Sequence, residues 1–129
     1  KKNNKKLITT EPLKSSDKKL LEKILKLINE NISSGDLNVD FLSKSVGMSR
    51  VHMYRKVKEL TNQSTHDFIK TIRMKKASEM LSGQKINISE VAYALGFSNL
   101  SHFSNVFKDF YGISPKEYSE KHRQQDEAE

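Results

Sequence analysis

Apolar residues recur through most of this chain at intervals of three and four, the spacing that places them on one face of an α-helix. A first helix is predicted from a cap at Ser16 or Asp17 to about Ile32, and Ser34 and Gly35 end it. No segment shows the alternation of apolar and polar residues between hairpin turns that indicates a half-buried strand. The pattern therefore predicts an all-α protein of about seven helices.

The order of caps, apolar positions and glycines in residues 38–68 recurs in residues 87–118. At an offset of 49, the matching residues are Asn38 with Asn87, Gly47 with Gly96, and Ser49 with Ser98. After the glycine turn the offset becomes 50, so the second copy contains one additional residue at that point. A repeat of this kind indicates that one structural unit occurs twice.

Each copy has the order of a helix-turn-helix: a short helix, a glycine turn, and a second helix with one apolar face. The short helices have a small residue at their middle, Ser43 or Ala92, which lets another helix cross closely. In DNA-binding versions of the motif, the second helix lies in the major groove. That helix is predicted to bury Met53, Val57 and Leu60 in the first copy, and Phe103, Val106, Phe107 and Phe110 in the second.

These elements predict two helix-turn-helix subdomains joined by a linker helix. The segments are a linker from upstream domains (1–16), the first subdomain (17–64), the linker helix (65–83), the second subdomain (84–122) and an acidic disordered tail (123–129). The linker helix has Phe68, Ile69, Ile72, Ala77, Met80 and Leu81 as its apolar positions. Because the chain begins with Lys rather than Met, we expect it to be part of a larger protein.

Charge adds a candidate partner to this picture. The formal net charge is +7, and residues 37–82 contain nine Lys and Arg against four Asp and Glu. A basic surplus suits a polyanion such as nucleic acid. The absence of cysteine excludes disulfides and thiolate metal sites and fits a reducing compartment, the cytoplasm. No apolar run approaches the roughly 18 residues of a membrane span, so no membrane contact is expected.

Three stretches together resemble the DNA-binding domain of AraC-family transcription regulators. They are "GMSRVHMYRKVKELTNQS", "IRMKKASEML" and "ISEVAYALGFSNLSHFSNVFKDFYGISPKEY", and the resemblance covers about residues 20–122. The first half also resembles the C-terminal output domain of hybrid two-component regulators of Bacteroidetes type. The resemblance implies transcription regulation without a cofactor, on double-stranded DNA. It further implies upstream receiver and kinase domains in the same protein, and RNA polymerase as a partner.

The same resemblance implies that both recognition helices enter successive major grooves, about 34 Å apart. The sequence departs from the family pattern in the second of these helices. There, His102-Phe103-Ser104-Asn105 stands where the family often has Tyr followed by Phe-Ser-Arg. The missing Arg removes a strong contact to phosphate or guanine. In the first copy, Val51 stands where some members have a bulkier or polar residue.

The candidate base-reading residues of the first recognition helix are Arg50, Val51, Tyr54 and Arg55. Arg55 is the expected direct reader, because a guanidinium pairs with guanine O6 and N7 through two hydrogen bonds; a phosphate clamp is the alternative. Val51 is a candidate for a thymine methyl group, and Tyr54 for a base or a phosphate. Arg50, Arg55, Lys56 and Lys58 together make this helix more basic than the second one.

The corresponding candidates in the second recognition helix are Asn99, Leu100, Ser101, Ser104 and Asn105. Asn105 can pair with adenine N6 and N7, whereas helix capping alone is the alternative for Asn99 and Ser101. The candidate phosphate contacts are Lys58, Lys108, Arg73 and Lys76. For the basic residues of the linker helix, the alternatives are a solvated face or pairing with acids of the first subdomain.

Two other classes of function compete with DNA binding. An enzyme is disfavoured, because no two of the four His residues lie within four positions of each other and no Gly-rich phosphate loop is present. That expectation concerns this chain alone, since a full-length protein of this type would contain a histidine kinase domain. A helical protein-interaction module is the second alternative, but it should expose Leu or Phe where these helices expose polar and basic residues.

Overall fold

The computed structural model describes residues 14–83 and 87–128. Within these ranges the chain forms seven α-helices and no strand, which confirms the predicted all-α class. The helices are α1 (Ser15–Glu30), α2 (Val39–Val46), α3 (Arg50–Thr61), α4 (Thr65–Gly83), α5 (Ile88–Ala94), α6 (Leu100–Tyr111) and α7 (Pro115–Ala128).

Side-chain caps define where the helices of both copies begin. The Asn38 side chain accepts a hydrogen bond from the backbone N–H of Phe41 at 2.9 Å, and Ser49 caps α3 in the same way. Asn87 and Glu90 form a reciprocal capping box at the start of α5. Asn99, rather than Ser98, caps α6. These contacts satisfy N–H groups that would otherwise have no partner at the helix ends.

The first and last helices extend beyond the predicted limits. The first begins at Ser15 after Lys14, which makes no side-chain cap, so Ser16 and Asp17 lie inside the helix rather than at its cap. The last continues through Ala128, although a disordered tail was expected from residue 123. Glu, Gln, Arg and Ala are all good helix formers, and this composition accounts for the longer α7. Most of the predicted upstream linker lies outside the described residues.

The glycine turn of the first copy depends on a left-handed backbone conformation. Gly47 has φ 82°, and its N–H donates to Ser43 O at 2.9 Å. A side chain with a Cβ would strain this conformation, whereas glycine adopts it freely. The turn therefore fixes how α3 leaves the end of α2.

The chain divides into two compact units. The first contains the described residues up to Ile32 together with Asp36–Thr71, and the second contains Ser33–Gly35 and the residues from Ile72 onward. Helix α4 thus contributes its first turns to one unit and its later turns to the other. Each half buries its own set of residues, including Met74 at 0 % exposure, which no single apolar stripe would have predicted.

The core of the first unit consists of aliphatic residues and one phenylalanine. Helix α3 buries Met53, Val57 and Leu60, as its spacing predicts. The short helix α2 buries Leu42 and the small Ser43. The remaining buried apolar residues of this unit are Leu21, Ile24, Ile28, Leu37, Phe68 and Ile69.

The core of the second unit combines aliphatic residues with a cluster of aromatic rings. Phe107 lies at its centre, with ring centroids 5.9 Å from Phe103, 4.7 Å from Tyr111 and 5.4 Å from Tyr118. The Tyr111 hydroxyl donates to Met74 O at 3.0 Å, and burial raises the pKa of Tyr111. Such ring contacts stabilise a core beyond the area that they bury.

One predicted core residue lies at the surface. Phe110 is 39 % exposed, and its ring contacts Tyr111 edge-on at 4.9 Å. Phe103 and Phe107 are separated by four positions and face the core together, whereas Phe110 lies at the edge of that face. The prediction that Phe110 is buried was therefore wrong, and Val106 is half-buried rather than buried.

These two phenylalanines provide a matched test of the core. Phe107→Ala should lower the free energy of unfolding by about 3–5 kcal/mol, because it leaves a cavity among aromatic rings. Phe110→Ala removes the same ring from the same helix, where it is 39 % exposed rather than fully buried, and should cost well under half as much. Urea denaturation of both variants measures the difference. Equal losses would contradict this description of the aromatic core.

Candidate nucleic-acid interface

Helix α3 has one buried face and one exposed face. While Met53, Val57 and Leu60 point into the first unit, all five predicted outward residues are exposed. Val51 is 61 % exposed and Tyr54 is 48 % exposed, high values for residues with large apolar parts. The outward residues are Arg50, Val51, Tyr54, Arg55 and Lys58. The helix therefore presents two guanidinium groups, an ammonium group and two apolar surfaces to a partner.

Lys56 does not belong to that surface. Its Nζ lies 3.0 Å from Asp17 Oδ1 on α1 and 3.1 Å from Glu59 Oε1. The hydrogen bond to Asp17, followed by that to Glu59, raises the pKa of Lys56. The sequence counted Lys56 among the basic residues offered to a partner, but the structure uses it to join α1 to α3.

Helix α6 presents a different chemistry. Its buried residues Phe103 and Phe107 direct Ser101, Asn105 and Lys108 to the solvent. Leu100 is 38 % exposed, and Ser104 is half-buried. The exposed face of α6 is mainly amide, hydroxyl and apolar, with one lysine as its basic residue.

Asn99 lies at the start of the same helix and has a structural role there. Its Oδ1 accepts a hydrogen bond from the backbone N–H of His102 at 2.7 Å. In the structure, Asn99 therefore caps α6, which is the alternative role that the sequence left open for it. Its amide nitrogen is the part of the side chain that a base contact would use.

The starts of α3 and α6 lack the acidic residues found at the other helix starts. Each of α1, α2, α4, α5 and α7 has an Asp or Glu in its first turn. Neither α3 nor α6 has one. Because a helix start has a partial positive charge, a carboxylate there would repel an approaching phosphate. The helices predicted to enter the groove are the ones with no such carboxylate in their own first turn.

Two contacts within the protein involve basic residues of α4, Arg73 and Lys70. An Nη group of Arg73 donates to Ser34 O at 2.8 Å, and burial lowers the pKa of Arg73. The phosphate contact of Arg73 stays a prediction, with part of its guanidinium engaged by this carbonyl. Lys70 lies 3.7 Å from Asp67 on the same helix, and Lys76 is half-buried. Lys76 is the second α4 residue predicted to contact phosphate.

The contacts that sequence reasoning missed join residues distant in the chain. Lys56 and Asp17 are 39 positions apart, as are Arg73 and Ser34. Helical spacing predicts neighbours three or four positions apart and contains no signal for such pairs. Among the residues that the structure describes, no group of three His, Cys, Asp or Glu side chains could hold a metal ion. No helix in the same part of the chain is long and apolar enough to cross a membrane.

Two repeated helix-turn-helix units, each with an exposed second helix, define a DNA-binding protein of the paired helix-turn-helix class. A family model described as "Helix-turn-helix domain" matches residues 42–121. The chain belongs to this family, in its AraC-type branch.

Individual relatives are similar over most of this chain. Histidine kinase P4 of Formosa agariphila is 33 % identical over 113 residues, which are 88 % of this chain and 8 % of the kinase. The chain thus spans less than a tenth of that relative's length. The C-terminal domain of AraT, a response regulator from Geobacillus stearothermophilus, has a TM-score of 0.75 and 27 % identity. The match covers 79 % of this chain and 84 % of the AraT chain.

A third similar protein is the DNA-binding domain of AdpA, a global transcriptional factor, whose structure contains a target DNA. It has a TM-score of 0.75 and 23 % identity, and the match covers 81 % of this chain and 93 % of that chain. At this identity the likeness establishes the fold.

The exposed face of α3 predicts that Arg55 makes a larger contribution to binding than Asn105. Arg55→Ala should cost about 1–3 kcal/mol of binding free energy and relax the preference at one base, with stability nearly unchanged. Asn105→Ala should cost less, because contacts of charged groups are stronger than neutral ones. Fluorescence titration with a selected DNA duplex measures both.

Arg55→Lys is the matched control, since it keeps the charge but loses the planar guanidinium. If Arg55 reads a guanine, this variant should keep its affinity for scrambled DNA and lose its preference for the selected duplex. If Arg55 is a phosphate clamp, affinities for both duplexes should stay close to those of the unchanged protein. A larger loss with Asn105→Ala than with Arg55→Ala would show that α6 is the main reader.

Proposed function

We propose that this domain binds a specific sequence in double-stranded DNA through the exposed faces of α3 and α6. The observation that carries the proposal is that each unit exposes one face of a corresponding helix, α3 or α6, and that neither helix has an acidic residue in its first turn. On α3 this face includes Arg50, Val51, Tyr54 and Arg55, and on α6 it includes Leu100, Ser101, Ser104 and Asn105. Arg, Asn and small apolar groups are the side chains that distinguish base pairs in a major groove.

Affinity, as distinct from specificity, comes from contacts to the phosphate backbone. Lys58 and Lys108 occupy corresponding positions on α3 and α6, and both are exposed. Lys76 adds a third candidate. Arg73 is left out of this set because it is bonded to Ser34 O. The target DNA in the AdpA structure supports a duplex as the partner of this fold.

The domain acts as the output element of a signalling protein. Its likeness to a histidine kinase and to the C-terminal domain of a response regulator supports this placement. In this proposal, receiver and kinase domains precede the domain in the same protein. The domain contacts RNA polymerase at a promoter, and the protein works in the cytoplasm. Residues 1–16 would then connect the domain to what precedes it. The alternative, a helical protein-interaction module, would bind no DNA even at low salt.

Selection of bound duplexes from a random DNA pool tests the proposed function directly. The expected result is an enriched sequence with two conserved blocks, one for each recognition helix. A footprint of about 20 base pairs per monomer follows if successive major grooves are occupied. Failure to enrich any sequence would refute specific recognition, and a footprint of half that length would mean that one helix-turn-helix makes no contact.

Salt dependence tests the phosphate contribution separately. We expect three or four phosphate contacts, because Lys56 and Arg73 are engaged within the protein. The contacts come from Lys58, Lys76 and Lys108 and, if it clamps a phosphate, from Arg55. The slope of log affinity against log salt should then be roughly −2.7 to −3.6, at about −0.9 per contact. Lys58→Gln should make the slope shallower by about one and weaken binding to all sequences alike. A slope near zero would contradict a phosphate-dominated interface.

A further inference from the structure

An ion pair connects the start of the first recognition helix to the preceding helix. Arg50 is the first residue of α3, and Asp40 lies in the first turn of α2. Arg50 Nε is 3.5 Å from Asp40 Oδ1, and the two side chains are 69 % and 51 % exposed. The pair therefore lies at the surface that the proposed function assigns to DNA.

Stability does not account for this pair. Exposed ion pairs contribute little to folding, because water screens them and both side chains lose freedom. Arg50 is also unfavourably placed for folding, because the start of a helix has a partial positive charge. Helix α3 has no acidic residue of its own in that turn. Asp40 supplies from α2 the negative charge that makes an Arg at this position tolerable.

The atoms that form the pair determine what Arg50 can do next. A guanidinium has two edges with paired donors, one formed by Nε and an Nη group and the other by the two Nη groups. The closest approach of Asp40 is to Nε, so the edge formed by the two Nη groups is not the one that makes this closest contact. That edge matches guanine O6 and N7, the acceptors that a guanidinium reads most often.

We propose that Asp40 is a specificity-determining positioning residue for DNA recognition by Arg50. Asp40 holds Arg50 at Nε, so that the remaining edge meets a guanine in the groove. Its carboxylate also lies where Arg50 would otherwise clamp a phosphate, and it repels that phosphate. Asp40 thus lowers binding to any sequence and favours the one sequence that presents guanine correctly. This inference rests on the proposed function and assigns the chemistry of one contact within it.

The chain offers a closely matched control for Asp40. Asp67 lies in the first turn of α4, is 54 % exposed, and pairs with Lys70 at 3.7 Å. Replacing either Asp by Asn removes one negative charge, one ion pair and one favourable helix-start charge. Asp40→Asn releases Arg50, which belongs to the proposed base-reading face of α3, whereas Asp67→Asn releases Lys70, which does not.

The experiment measures the affinity of the 129-residue chain for its selected duplex and for a scrambled duplex of equal length. Asp40→Asn should bind scrambled DNA about three-fold more tightly, and its preference for the selected duplex should fall about five- to ten-fold. Asp67→Asn should keep the preference of the unchanged protein. Asp40→Glu, which keeps the charge, should recover part of the preference. Thermal melts of each variant show that the comparison is made between folded proteins.

A base analogue identifies the contact itself. Replacing guanines one at a time by 7-deazaguanine removes the N7 acceptor and little else. The unchanged protein should lose affinity at the guanine that Arg50 contacts, separately from any guanine that Arg55 reads, and Arg50→Ala should lose its sensitivity to replacement at that position only. Adding Asp40→Asn to Arg50→Ala should leave the preference as it is in Arg50→Ala alone, because Asp40 acts through Arg50.

The possible failures can be told apart. If the unchanged protein shows no preference between duplexes, the proposed function fails and this inference fails with it. If the unchanged protein discriminates but Asp40→Asn and Asp67→Asn behave alike, only the role of Asp40 is refuted. If Asp40→Asn alters the preference even in the Arg50→Ala background, Asp40 acts directly or through another residue, and the proposed positioning is wrong.

Discussion

Burial of one face of each recognition helix determines everything that the opposite face can do. Met53, Val57 and Leu60 fix the rotation of α3, and Phe103 with Phe107 fixes that of α6. Once these residues are in the core, helical geometry decides which side chains reach a groove. A rotation by one residue, about 100°, would replace the polar face by an apolar one and cost several buried side chains. Stability and recognition therefore depend on the same packing.

Electrostatics then divides the basic residues into two groups. Lys56 and Arg73 are engaged by Asp17, Glu59 and Ser34 O, so they connect elements of the protein itself. Arg55, Lys58 and Lys108 are exposed and have no such role among the contacts described above. A net charge of +7 counts both groups equally. The nearby acceptors decide the outcome, since a cation held by a carboxylate or a backbone carbonyl contributes less to a polyanion contact.

Sequence reasoning succeeded where a local rule determined the structure. Caps, glycine turns and apolar spacing predicted the seven helices and most of the core, because each depends on residues within one or two turns. It failed for Phe110, which lies at the edge of an apolar face, and for Met74, in a helix that contributes to two units. It also gave no signal for the hydrogen bond from Arg73 to Ser34 O, whose residues are 39 positions apart. The residues of the candidate base-reading faces were predictable from the sequence. Which charged side chains are paired within the protein could be seen only in the folded structure.

The two units combine a common frame with different chemistry. The first has a mainly aliphatic core and an exposed face with two arginines, while the second adds a cluster of aromatic rings to its core and has an exposed face of amides and hydroxyls. Charged contacts attract any DNA, and neutral donors and acceptors distinguish bases without adding attraction over a distance. A first unit that both attracts DNA by its charge and reads bases needs a means of limiting its attraction to DNA of any sequence. The carboxylate of Asp40 beside Arg50 meets that need, and no counterpart is required on α6, because that helix has no arginine to restrain.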